Sequence, residues 1–262
     1  MKEKENLLRN LSLSVVNKWI KNENDPVKKE AFRCLKADKM NFNNSKMSEQ
    51  IKVIRSNLLG FDGFCKYDKK IKELLESNNV ILERSYAEFD DRYRQLVSNG
   101  LLLTYDVNKN EILFGFQKRN TNYTEKTLIG TLGMVGGHIN GNDNSLYEGL
   151  IREMSEEISN VPFEEITIKP AGFIQEFKTQ GCISNYHLCV LYLINIPYEC
   201  IGKIKNKESQ ERLIWIPQGQ LLDTFKKESK GFKMDSWIEI LLNEIFNKES
   251  IKISEITKQH RA

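Results

Sequence analysis

The 262-residue sequence contains no C-x-x-C pair and no H-x-x-x-H pair, and none of its apolar runs approaches a membrane span; such a helix needs about 20 residues. Its five cysteines (Cys34, Cys65, Cys182, Cys189 and Cys200) are odd in number and scattered. That pattern suits reduced thiols and argues against a zinc site or a disulfide frame. The opening residues 1–5 lack the apolar core of a signal peptide, so a cytoplasmic location is expected. A formal net charge of +3 is too small to draw the chain to nucleic acid or to a membrane by bulk electrostatics. With 40% hydrophobic and 29% charged residues, the composition is that of a globular protein.

What stands out is Gly136-Gly137-His138-Ile139, followed by Arg152-Glu153-Met154-Ser155-Glu156-Glu157. On a helix, Glu153, Glu156 and Glu157 fall at i, i+3 and i+4 and share one face. Tyr147, Leu150, Ile151, Met154 and Ile158 form an apolar stripe on the other face, able to pack under a sheet. Ser145 stands three residues before Glu148, a capping-box spacing that starts the helix at Leu146. Three like charges so close cost a few tenths of a kcal/mol per pair, roughly. A hard dication such as Mg²⁺ or Mn²⁺ turns that cost into a gain. A Glu-rich helix alone is usually a solvated face. Here a Gly-Gly turn precedes it, and an Arg stands directly before the first Glu.

These residues resemble the Nudix box, G-x5-E-x7-R-E-U-x-E-E-x-G-U with U apolar. The R-E-U-x-E-E core is complete. The stretch from Gly137 to Arg152 is one residue longer than the pattern, and the loop acid is either Asp143 or missing. Ile158-Ser159-Asn160 stands where the family has x-G-U. The Gly-Gly-His-Ile-Asn wording and Met234-Asp235-Ser236-Trp237 resemble a branch of MutT-like phosphoesterases. The resemblance covers residues 80–247. It implies an α/β fold, an α/β/α sandwich around a mixed sheet, and metal-dependent hydrolysis of a diphosphate linkage in a nucleoside diphosphate derivative. It also implies that Glu153, Glu156 and Glu157 hold the metal with the main-chain carbonyl of Gly137. Arg152 would fix a neighbouring carboxylate, while Lys118 and Arg119 would meet a phosphate at a strand end. Some members take the general base from the motif, others from a loop before the last strand. Glu208 and Glu211 occupy such a loop and are secondary candidates.

Three segments are expected: a helical region over 1–78, a catalytic domain over 79–248 and a polar tail over 249–262. Leu8, Leu11, Val15, Trp19 and Ile20 recur at helical spacing, and Asp25-Pro26 would open a second helix through Ala31, Phe32 and Leu35. Ser48 would open a third through Ile51, Ile54 and Leu58, and a fourth runs through Ile71, Leu74 and Leu75. The Asn-rich residues 41–45 read as a linker. No basic stripe marks this region for nucleic acid, so packing on the catalytic domain or forming a homodimer surface is expected.

Residues 101–105 and 112–116 flank a turn-rich linker and read as a hairpin. Strands are expected at 166–168 and 172–174, separated by Pro170, at 187–196, too apolar and too short of helix formers for anything but a buried strand, and at 212–217. Closing helices are expected over 218–225 and 234–246. His138 and His187 are left out of the chemistry. Two further readings stay open: a non-hydrolytic sensor of a nucleotide or ADP-ribose-like ligand, and an isomerase needing Cys182 or Cys189, neither of which has a motif around it.

Overall fold

The computed structural model describes residues 13–25, 28–29, 33, 49–87, 90, 92–118, 131–175, 187–226, 233–234 and 240–241. Its spine is β4 (Tyr93–Asp106), buried at nearly every position. Three strands share one edge of β4 in succession: β1 (Gln50–Arg55) at residues 93–95, β7 (Val135–His138) at 97–100 and β5 (Glu111–Lys118) at 102–106. Along the other edge β10 (His187–Asn195) pairs in parallel from Gln95 to Leu103. The pairs around these two are antiparallel, so the sheet is mixed. Strands buried on both faces read as continuous apolar runs, which is why β10 was legible as a central strand.

The sheet runs outward through β9 (Thr167–Gln175) to β2 (Gly63–Lys66) on one side. On the other it reaches β6 (Thr131–Gly133) and the parallel pair made by β13 (Lys233–Met234). β3 (Val80–Glu83) joins β1 and β12 (Ile214–Pro217) joins β5, which makes eleven strands among the described residues. A two-stranded ribbon pairs β8 (Ile158–Ser159) with β11 (Lys205–Asn206).

Side-chain alternation divides the core in two. Leu96, Leu102, Leu188, Val190 and Ile194 point to one face, where α2 (Lys69–Asn78) and α4 (Leu146–Glu157) cover them with Leu75, Leu150 and Met154. Leu101, Leu103, Cys189, Leu191, Phe114 and Phe116 point to the other, against Leu221 of α5 (Leu221–Lys226) and Leu241. Two more helices are described, α1 (Leu13–Asn22) and the single turn α3 (Arg84–Ala87). No described helix is long and apolar enough to cross a membrane.

The expectation of an all-helical region over 1–78 is corrected. The segment from Ser48, expected as a helix through Ile51, Ile54 and Leu58, contains β1, and Gly63–Lys66 is a second strand. Ile51, Val53 and Ile54 are buried, while Leu58 is exposed in the turn that follows. A pattern of three apolar residues satisfies either period, and hydrogen bonding to β4 and to residues 139–141 decides for the strand. Of the expected helices, α2 forms where expected, with Asp68 as its side-chain cap. Asp25 accepts from the Lys28 and Lys29 amides as a helix start does. Ala31, Phe32, Leu35, the 41–45 linker and the 249–262 tail lie outside the described residues.

β9 is one strand, not two. Its register slips between Leu191 and Tyr192, which face Gly172 and Pro170, so Ala171 is the extra residue of a bulge. A bulge is where a strand tolerates proline. Met234 lies in β13, and most of the expected helix after it lies outside the described residues.

Candidate functional site

Helix α4 begins at Leu146 because the Ser145 hydroxyl accepts the Glu148 amide at 3.1 Å. Glu148 reaches back one residue beyond the cap and accepts from the Asn144 amide at 2.8 Å. Leu146, Leu150, Met154 and Ile158 are buried against the sheet, whereas Tyr147, expected in the same stripe, is exposed and lies edge-on to Tyr192.

Arg152 is the hub of the polar face. Its Nε and Nη2 donate to the two carboxylate oxygens of Asp143, each at 3.0 Å, and Nη2 also donates to the His138 carbonyl at 2.7 Å. Nη1 donates to Glu153 at 2.7 Å and to Glu156 at 3.2 Å. The acid of this loop that meets Arg152 is Asp143, which also accepts the Asn140 amide at 2.7 Å and so closes the loop on itself. Burial works against the Arg152 charge, but Asp143 and Glu153 outweigh it and hold its pKa above the ordinary guanidinium value. A planar fork with five donors is what such a task needs.

The three acids do not stand alike. The Glu153 side chain is 13% exposed and its carboxylate lies over Gly137, where a Cβ would come within 2.4 Å of Oε2. Burial pushes its pKa up, Arg152 opposes this, and the nearby Glu156 and Glu49 add to the rise. Glu157 Oε2 accepts from the Gly136 amide at 2.8 Å and from Gln117 Nε2 at 2.9 Å. The Glu156 side chain is 57% exposed and touches the cluster through Arg152.

Among the described residues, no group of three or more His, Cys, Asp or Glu side chains is gathered closely enough to hold a metal. The expected set of Gly137, Glu153, Glu156 and Glu157 is thus adjacent but split, because Arg152 sits between Glu153 and Glu156 while the sheet holds Glu157. The donor chemistry nonetheless suits a hard dication, being carboxylate oxygens.

Of the other expected residues, Lys118 ends β5, exposed and facing Leu132 across the sheet, while Arg119 lies outside the described residues. Glu208 and Glu211 are exposed in the turn after β11. That turn docks on the end of α4: the Lys207 amide donates to the Glu157 carbonyl at 2.7 Å, and its ammonium donates to the Ser155 carbonyl.

Sequence reasoning passed over Gln117 and Asn206. Gln117 is buried at the end of an apolar strand, and that lone amide among hydrophobes was the available signal. It also set aside His138 and His187. Their Nε2 atoms lie 3.2 Å apart on the sheet face away from α4. Burial, then the charges of His187, Arg84 and Arg152, hold His138 well below the ordinary imidazole pKa. Beside them Gln95 is wholly buried, and neither end of its amide finds a partner among the described residues.

No protein-family model matches the chain, and no curated protein matches it. Solved structures do. Tm1382, a proposed Nudix hydrolase, superposes with a TM-score of 0.54 at 19% identity, over 76% of this chain and 99% of that one. A mutT/nudix family protein from Listeria innocua matches with a TM-score of 0.42 at 18% identity, over 63% and 96%. The NUDIX domain of Shewanella oneidensis NrtR, complexed with ADP ribose, gives 0.37 at 18% identity, over 50% and 77%. At such identities the likeness is one of fold: the chain has the Nudix hydrolase fold, as its motif implied.

Proposed function

We propose that the protein is a Mg²⁺- or Mn²⁺-dependent pyrophosphohydrolase acting on a nucleoside diphosphate linked to a further group. The observation that carries this reading is the Arg152 hub, which draws Asp143, Glu153 and Glu156 together beside Gly137 on a Nudix-fold scaffold.

Water attacks one phosphorus, the bridging P–O bond breaks, and the water's proton leaves to a base. When bound, the dication supplies positive charge at the non-bridging oxygens. Glu153, Glu156 and Glu157 would hold it, with the Gly137 carbonyl beside them. Arg152, anchored by both oxygens of Asp143, fixes the Glu153 carboxylate and keeps the loop closed. Lys118 and Arg119 are assigned to the substrate's phosphates, and Glu208 or Glu211 to the base if no motif glutamate serves.

A second reading, a nucleotide sensor that does not cleave its ligand, is favoured by one observation: Arg152 already occupies oxygens of Glu153 and Glu156, and among the described residues no three acids stand close enough to hold a metal. The test is product release across dinucleoside polyphosphates, ADP-ribose, nucleotide sugars, NAD and dNTPs with Mg²⁺ or Mn²⁺. Turnover that requires metal and is lost in Glu156→Gln/Glu157→Gln supports the hydrolase. No turnover, with a thermal shift for one compound, overturns it in favour of the sensor.

A further inference from the structure

We infer that Gln117 and Asn206 are positioning residues for Glu157, forming a relay that ties the carboxylate to the turn before the last core strand. The inference rests on the reading of the acids as a metal site. Asn206 Oδ1 accepts the amides of Glu208 and Ser209, both at 2.9 Å, in an Asx turn. With its oxygen engaged there, Asn206 must present its NH₂ outward, and Nδ2 donates to Gln117 Oε1 at 2.7 Å. Gln117 is thereby oriented in turn. Its two N–H groups go to the Met134 carbonyl at 3.0 Å and to Glu157 Oε2 at 2.9 Å. The Gly136 amide adds a second donor to the same oxygen at 2.8 Å.

Amide orientation is ambiguous for an isolated Asn or Gln, but here each link fixes the next. The starting point is backbone, which cannot flip, and the end point is a carboxylate of the motif. Two donors on Oε2 hold the rotamer. The main chain acts to the same end: the Lys207 amide holds the Glu157 carbonyl, and β11 pairs with β8 directly after the helix. Both ends of Glu157 are thus held by one segment, residues 205–207, and that segment leads into Glu208 and Glu211. Partners of this kind typically change metal affinity about 10–100-fold when lost.

Asn206→Asp separates positioning from folding. Aspartate still accepts the Glu208 and Ser209 amides, so the turn is kept, but it cannot donate to Gln117. It also adds a negative charge, which by bulk electrostatics alone would tighten cation binding. Mn²⁺ alone is titrated into the full chain by calorimetry, with melting followed in its absence. The relay predicts that Asn206→Asp binds Mn²⁺ about 10-fold or more weaker, while the metal-free chain still unfolds in one cooperative transition above the titration temperature. Gln117→Leu, which removes the middle link, should weaken Mn²⁺ binding at least as much. Asn206→Asp and Gln117→Leu both binding as tightly as wild type, while Glu156→Gln/Glu157→Gln loses Mn²⁺, overturns the relay and leaves the metal site standing. Unchanged Mn²⁺ affinity in Glu156→Gln/Glu157→Gln overturns the metal site and the relay with it.

Discussion

The two glycines expected as a turn lie instead within β7, where they face different obstacles, and alanine at each should separate a structural from a functional requirement. At Gly136, φ is +142°, and a Cβ would lie 2.1 Å from the Ser98 carbonyl oxygen and 2.8 Å from Asn99 Cα. Both are backbone of the central strand and cannot retreat. The strained conformation costs about 1–3 kcal/mol and forced overpacking about 1–3 kcal/mol more. At 2–4 °C per kcal/mol, Gly136→Ala should lower the melting point by roughly 5–20 °C. At Gly137 the backbone is ordinary, and the obstacle is the Glu153 carboxylate at 2.4–2.9 Å, the far end of a flexible side chain. Moving it forfeits a charged hydrogen bond to Arg152, about 1.5–3 kcal/mol, against an entropic gain of about 0.4–1 kcal/mol from alanine. The sharp test is a double-mutant cycle read by urea denaturation. In a Glu153→Ala background Gly137→Ala should cost nothing or stabilise slightly, while Gly136→Ala keeps its full cost. If the Gly137→Ala cost survives the removal of Glu153, the contact assigned to that glycine is wrong.

Two further outcomes are expected. Arg152→Lys cannot meet both oxygens of Asp143 and Glu153 at once, so it should destabilise by about 1–3 kcal/mol, measured in denaturant; an unchanged midpoint would mean that the hub does not hold the loop. His138 is held neutral in the fold, so below its unfolded pKa of about 6.5 the unfolded chain takes up a proton that the native state refuses. Stability should then be full above pH 6.5 and fall on acidification by up to about 1.4 kcal/mol per pH unit, until the folded pKa is reached. His138→Gln should flatten that part of the melting profile between pH 6.5 and 5, and an unaltered slope would refute the assignment.

Local features were legible from the sequence where their cause is local. The Ser145 cap fixes the start of α4 within four residues, and the turn at 107–110 fixes the β4–β5 hairpin. β10 was legible because a strand covered on both faces must be apolar throughout. β1 was not, since Ile51, Val53 and Ile54 fit both periods and the choice is made by β4, about forty residues away. Gln117 showed only as a lone amide at the end of an apolar strand and Asn206 not at all, for a related reason: an amide has no spacing rule, and its role follows from the register that brings β5, β11 and the end of α4 together.

The acids themselves show how far spacing reaches. At about 100° per residue, Glu153 and Glu157 are some 40° apart around α4, whereas Glu156 lies about 100° from Glu157. The first two can therefore face the same strand, and they do, Glu153 over Gly137 and Glu157 on the amide of Gly136. A full turn of helix is thus matched to a single residue step of β7. Glycine is required at both steps, at Gly136 by the backbone of β4 and at Gly137 by the carboxylate. Glu156 is rotated off that line toward solvent, and its tie to the cluster runs through Arg152 Nη1. A helical wheel places the three acids on one face, but it does not show which of them the sheet engages. The strand beneath divides them into two seated on its glycines and a third, Glu156, held at the solvent edge by Arg152, so that this carboxylate can change rotamer at the cost of that contact without disturbing the sheet.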